Sequence, residues 1–265
     1  MSNNLVCYLF TRFDNKKSIF EFIKYYKKYS SGVKHTLLIC FKLLSQQKIN
    51  SLKKSFKNVN YIEFIDKSTL NDYDFGSYKR VAESYPKCNI LFLNSHSYPL
   101  HNLWFKKLLN HFDKNTLIGT TASNESLLSS LKLKKIYKIF SFFKKKFQYK
   151  KKFLEFPNPH IRTSNFLIKG NDLLSFLKNR NFYNKEDAWM AESGINGMTN
   201  FFKKKNFDIY IINSDGKKFN QNEWAISETY NYALQSKTLI SDKHTRKYLR
   251  LSKKNRILSQ RINWG

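Results

Sequence analysis

Between Leu5 and Thr121 short apolar runs alternate with amphipathic segments, and this alternation restricts the fold more than any other feature. Leu5–Phe10, His35–Phe41, Tyr61–Ile65, Ile90–Leu93 and Thr116–Thr121 read as strands, because brief apolar runs bounded by turn formers suit a buried sheet. Between them, Lys17–Tyr29 places Ile19, Phe20, Phe22, Ile23, Tyr26 and Tyr29 near one helical face. Gln46–Phe56 and Leu103–Phe112 read as further helices, and a segment around Tyr78–Tyr85 leads through Pro86 to the strand at Ile90. Such alternation predicts parallel strands with helices packed on both faces. Downstream, Asn165–Ile168 and Phe207–Ile212 read as strands, and Asp172–Leu177 and Glu192–Lys205 as helices. The expected fold class is α/β, a three-layer sandwich on a mostly parallel central sheet.

The run Ile90–Leu93 ends abruptly at Asn94-Ser95-His96 and is broken by Pro99. Ligands of open α/β sheets bind beyond the carboxyl ends of such strands, so chemistry is expected at this triplet. The 265 residues suffice for one large domain, and a 41% hydrophobic fraction argues against disorder. No apolar run approaches the roughly 18 residues of a membrane span. The start, Met1-Ser2-Asn3-Asn4, lacks a signal-peptide pattern, and Cys7, Cys40 and Cys88 read as reduced thiols, so a cytoplasmic chain is expected.

The net charge of +29 invites a nucleic-acid reading, yet only 8 of the 48 cationic residues are Arg. Arg is the better side chain for bidentate phosphate and base recognition, and no zinc or RNA-binding aromatic signature is present. No nucleic-acid partner is expected. No Gly-x-Gly-x-x-Gly or Walker sequence occurs, which argues against a dehydrogenase or P-loop enzyme.

Three local motifs, in order, resemble the GT-A glycosyltransferases, especially the family-2-like bacterial group, over roughly residues 3–216. Thr11-Arg12-Phe13-Asp14 follows strand one, where such enzymes hold the nucleotide base. Asp74-Phe75-Gly76-Ser77-Tyr78-Lys79-Arg80 precedes the strand that carries the family's metal motif. Glu186-Asp187-Ala188-Trp189-Met190-Ala191-Glu192 resembles its acidic helix start, and Phe156–Asn165 its acceptor-side segment. The resemblance implies a catalytic domain over 1–216 with a basic aromatic insertion at about 126–156, and a C-terminal extension over 217–265. It implies Arg12, Asp14, Asp74, Gly76, Arg80, Asn94, His96 and Arg162 on the donor side, and His160, Thr163 and Asn165 on the acceptor side. Glu192 is then the first candidate for a catalytic base, Asp187 the second and Glu186 the third. The bland alternatives are that these acids favour a helix dipole, and that Asp14 and Asp74 cap helices.

The resemblance fails at one place. Asn94-Ser95-His96 replaces the family's Asp-x-Asp, whose carboxylates hold a divalent cation against the donor diphosphate. Neutral Asn with imidazole is a poor Mg²⁺ site. Three outcomes stay open: Asn94 and His96 hold Mn²⁺, cations such as Arg12, Lys79, Arg80 or Arg162 neutralise the diphosphate without metal, or the site is inactive. The expected partners are a nucleotide-sugar donor and a glycan or lipid-linked acceptor of surface polysaccharide synthesis. The alternatives are a basic nucleic-acid binder and an inactive scaffold. The tract Leu131–Phe153 alternates lysine clusters with Ile, Phe and Tyr, which suits either contact with an anionic membrane or an ordinary packed insertion. His244 could reach the site from the C-terminal segment, but reads first as a surface histidine.

Overall fold

The chain is described by a computed structural model over residues 3–133 and 135–265. Its strands are β1 (Asn4–Thr11), β2 (Thr36–Lys42), β3 (Ile62–Asp66), β4 (Asn89–Leu93), β5 (Tyr98–Pro99), β6 (Thr116–Gly119), β7 (Ala122–Ser123), β8 (His160–Ile161), β9 (Asn165–Lys169), β10 (Asp208–Ile212), β11 (Lys218–Phe219) and β12 (Ile240–Ser241). The helices are α1 (Lys16–Lys28), α2 (Gln46–Lys53), α3 (Tyr73–Ser84), α4 (Trp104–Leu109), α5 (Ile139–Lys150), α6 (Gly170–Leu177), α7 (Lys185–Ser193), α8 (Met198–Lys204), α9 (Lys243–Leu249) and α10 (Lys253–Trp264).

Among the described residues an eight-stranded sheet runs β11-β10-β6-β9-β4-β1-β2-β3. β1 shows why it is buried on both sides. Leu5, Cys7 and Leu9 join the core beneath α3, α6 and α8, whereas Val6, Tyr8 and Phe10 join the core beneath α1, α2 and α4. Successive side chains alternate across a strand, so a continuous apolar run supplies both cores. The result is the three-layer, mostly parallel α/β sandwich predicted above.

Two features of this sheet place the site. Strand order reverses at β1, whose parallel neighbours are β2 and β4, and a crevice opens where such a reversal occurs. β9 is antiparallel to both β4 and β6, with Asn165 opposite Leu93. The residues just before β9 are thereby brought beside those just after β4, and the Asn94 N–H donates to the Ser164 carbonyl at 3.0 Å.

Some local expectations change. Asn15, not Asp14, caps α1, its Oδ1 accepting from the Lys17 N–H at 2.9 Å. The helix expected over Glu192–Lys205 is two helices, α7 and α8, broken at Gly194–Gly197. A Cβ at Gly194 would stand 2.5 Å from the Met190 carbonyl oxygen, so the turn needs glycine. Glu192 consequently lies in the last turn of α7, not at a helix start. Past residue 216, β11 extends the main sheet and β12 pairs with β5, which carries the start of α9 to the crevice. No helix among the described residues is long and apolar enough to cross a membrane.

Candidate active site

A cavity of about 280 Å³ lies beyond the carboxyl end of β4. Asp74, Asn94, His96, Arg162 and Glu192 all line it, with Tyr73, Thr163, Lys185, Trp189, Lys243 and His244. A second chamber of about 190 Å³ lies on the other side of Arg162, Trp189 and Glu192, and adds Glu125, His160 and Tyr230. A third space, a trough of about 660 Å³, shares His96 and Lys243 with the first and is walled by Lys17, Arg246, Lys247 and Arg250.

The Asp74 wall is braced from beneath. Lys42, at the end of β2, is 1% exposed and donates to Asp72 and to the Tyr73 carbonyl. Arg80 donates to Asp66 through Nε at 2.6 Å and to Asp72 through Nη1 at 2.6 Å. Burial would raise the pKa of both aspartates, but the hydrogen bonds from Arg80, Ser77 and Lys42 outweigh it and hold them low. This cage keeps Tyr73 at φ +54°, a left-handed conformation that costs a bulky residue roughly 1–3 kcal/mol. Asp74 follows in the first turn of α3. Burial raises its pKa to about 6, Lys42 opposes, and the charges of Asp14 and Glu192 add to the rise.

The opposite wall is built around Arg162. Its Nη1 donates to Asp242 at 2.8 Å, and its guanidinium lies 4.1 Å above the Tyr230 ring. Burial raises the Asp242 pKa on its own, but Arg162 and the Ser164 hydroxyl pull it down to about 2. Asp242 also caps α9 by accepting from the His244 and Thr245 N–H groups, both at 2.8 Å. One carboxylate thus ties Arg162 to the C-terminal segment. Glu192 accepts from the Thr163 N–H at 2.8 Å through Oε1, which orients its carboxylate between the two chambers. His160 is buried and bonded through Nδ1 to the Asn158 carbonyl at 2.8 Å, and burial lowers its pKa against the pull of Glu192.

The polar triplet is largely self-satisfied. Asn94 Oδ1 accepts from the His96 N–H at 3.1 Å and the Ser97 hydroxyl at 2.8 Å. The Ser95 hydroxyl donates to Asp14 Oδ1 at 2.6 Å, while Asp14 Oδ2 accepts from the Thr11 N–H at 2.8 Å. Asp14 therefore orients the β1 and β4 ends. His96 Nε2 stands 3.8 Å from Asp14, and burial lowers the His96 pKa although Asp14 works to raise it. No cluster of three or more His, Cys, Asp or Glu side chains among the described residues could hold a metal ion. With the Asn94 oxygen already engaged, the donor set does not fit a hard divalent cation.

Several expected site residues are placed elsewhere. Arg80 is consumed by Asp66 and Asp72 and does not line the cavity. Gly76 makes room for a carboxylate of the protein itself, since a Cβ there would stand 2.0 Å from Asp72 Oδ2. Arg12 points into solvent over the Phe13 ring, at 4.9 Å. Asn165 is fully buried and bonded to Thr120 and Ser164. Asp187 closes a capping box with Asn184, and Glu186 pairs with Lys152. His244 is exposed, as expected, but lies at the mouth of both chambers. Sequence reasoning missed Lys42, Trp189 and Asp242. Only Asp242 left a signal, the Asp-x-x-Thr capping pattern at 242–245.

No protein-family model matches the chain, and no curated protein matches it in sequence. Solved structures with some likeness include HddC from Yersinia pseudotuberculosis (TM-score 0.41, 11% identity, 76% of this chain and 97% of that one). The galactosyltransferase LgtC in complex with donor and acceptor sugar analogs gives a TM-score of 0.43 at 9% identity, over 79% of this chain and 73% of that one. A 4-diphosphocytidyl-2C-methyl-D-erythritol synthase from Anaerococcus prevotii gives 0.44 at 11% identity, over 85% and 97%. Likenesses of this size leave the chemistry to the cleft itself.

Proposed function

We propose that the chain is a glycosyltransferase of GT-A type, moving a sugar from a nucleotide-sugar donor to a hydroxyl of a glycan or lipid-linked acceptor in surface polysaccharide synthesis. The observation that carries this reading is the convergence of Asp74, Glu192 and Arg162, from three separate elements, on one cavity at the sheet's reversal point. Sugar transfer asks for a base to take a hydroxyl proton and for positive charge to stabilise the departing diphosphate. Glu192 Oε2 serves as the base, since Oε1 is held by Thr163. The acceptor oxygen then bonds to the anomeric carbon as the bond to the diphosphate oxygen breaks, and the electron pair leaves on the diphosphate. Such a single displacement inverts the anomeric configuration.

Cationic side chains replace a metal ion in this reading. Lys185 and Lys243 line the cavity, and the neighbouring trough adds Lys17, Arg246, Lys247 and Arg250. The trough suits the nucleotide diphosphate, and the chamber holding His160 suits the acceptor. A thermal-shift screen against UDP-, GDP-, CMP- and dTDP-sugars, with and without Mn²⁺, tests the reading. At least one donor should raise the melting temperature without metal, because a ligand that binds only the folded state stabilises it by mass action. Glu192→Gln should keep that shift and lose roughly 10²–10⁴-fold in turnover. No shift with any donor, alongside salt-sensitive binding of DNA or RNA, would reverse the assignment. A shift with no turnover in the unaltered chain would point to the inactive scaffold.

A further inference from the structure

Residues 126–154 contain 10 Lys and no Asp or Glu, and the structure shows how those of α5 are displayed. At about 100° per residue, Phe140, Phe143 and Phe147 fall on one stripe of α5, while Phe142 and Tyr149 fall on the opposite side. The inner side is anchored. Tyr149 is 4% exposed and clusters with Leu128 and Phe153, against which Trp189 and Met190 of α7 pack. The outer stripe faces solvent, with Phe140 87%, Phe143 59% and Phe147 62% exposed. On the same helical projection Lys144 and Lys151 border the stripe on one side, and Lys146 and Lys150 on the other.

An apolar stripe of this kind is not explained by packing within the chain, since the inner side already supplies the contact that holds α5. Isolated exposed apolar residues need no explanation, but three phenylalanines in register amid lysines present a surface. We propose that α5 docks the protein on an anionic lipid bilayer, the three phenyl rings entering the headgroup–acyl boundary and the flanking lysines pairing with lipid phosphates. The charge pattern selects this occupant. A second copy would bring two acid-free, lysine-dense faces together, and that repulsion opposes self-association through α5. Exposed aromatic rings and lysines on one helical face match the two contributions that hold a helix in a membrane interface.

The location has a consequence for the cleft. α5 is rooted against Trp189, which lines both the main cavity and the His160 chamber. Docking would therefore hold the Trp189 wall of that chamber near the membrane, where a lipid-linked hydroxyl is found. That consequence rests on the transferase reading, whereas the docking itself does not.

The test is flotation of the full chain with phosphatidylcholine vesicles and with phosphatidylcholine–phosphatidylglycerol vesicles. Binding is expected to the anionic vesicles alone and to weaken with salt. The triple variant Phe140→Ser, Phe143→Ser, Phe147→Ser should bind them at least about tenfold more weakly, with unchanged circular dichroism. In case the triple variant fails to fold, Phe143→Trp gives an independent readout, because brominated lipid should quench its added fluorescence. Donor-induced thermal shifts measured on the same variants separate docking from transfer and should not change. Absence of vesicle binding, equal binding by the triple variant, or a Phe-dependent dimer that ignores vesicles would each overturn the proposal.

Discussion

Asp74 sits where an ionised carboxylate is disfavoured, half-buried in the cavity wall and near the charges of Asp14 and Glu192, and no hydrogen bond to its carboxylate forms among the described residues. The sign of the pH effect follows from its raised pKa. A group that holds its proton more tightly when folded contributes stability below its unfolded pKa and loses it as pH rises through the folded value, here about 6. Asp74→Asn removes that loss. The variant should therefore match the parent below about pH 4 and exceed it by up to about 3 kcal/mol at pH 8, in urea unfolding followed by circular dichroism. Equal midpoints at pH 8 would show that the carboxylate is not held against its preference.

Asp74, Arg162 and Glu192 line the cavity, whereas Arg80 and Asn165 do not. The first three are polar residues at element ends, where any fold of this class leaves side chains free to meet a cleft. Arg80 and Asn165 lie within the same motifs, yet the phase of α3 and of β9 turns them onto Asp66 and Thr120. Helical phase relative to a partner is not written locally. The capping box that occupies Asp187 was legible, because Asn184 stands three residues before it.

At the scale of elements, α3 is the part most dependent on charge. Asp66 has a side chain 0% exposed, and Arg80 meets both of its oxygens. Removing one partner of a buried pair strands the other, so Arg80→Ala should destabilise by roughly 3–5 kcal/mol. On the transferase reading, donor affinity should fall as well, because the same guanidinium steadies Asp72 beneath Tyr73 and Asp74. A variant with full stability would show that the cage is dispensable, and calorimetry with a donor titration reads both quantities. The direction of β9 is the other element-level feature that shaped the site. Its apolar run Phe166–Ile168 announced a strand but not its orientation, which is set by pairing with β4 and β6. Had β9 run parallel to them, Arg162 and Thr163 would stand at the opposite rim.

For the molecule as a whole, burial and charge act in two pH ranges. Burial lowers the pKa values of His35, His96, His101, His160 and His244, so each must gain a charge in a resisting environment as pH falls below about 6.5. Asp66, Asp72 and Asp242 are also held low, and their contribution is present above about pH 4 and lost as pH falls further. Protonating carboxylates adds to a net charge that is already +29. Near pH 6 the histidine losses oppose the gain from Asp74, so urea midpoints should change little there and decline steeply below about pH 4. A marked decline already at pH 6 would show that the histidines outweigh Asp74.

The order of apolar runs and polar breaks was enough to specify the layers, the parallel half of the sheet and the polar turn after β4, since those follow from side-chain period and chain connectivity. Composition likewise disclosed the lysine-rich tract before its shape was known. Tertiary structure alone decided which side of α5 is buried, that β9 runs backwards, and that Lys42, Asp72 and Asp242 brace the cleft from distant positions. Those outcomes depend on pairing between segments far apart in the chain, and the free energy of such pairing belongs to neither segment by itself.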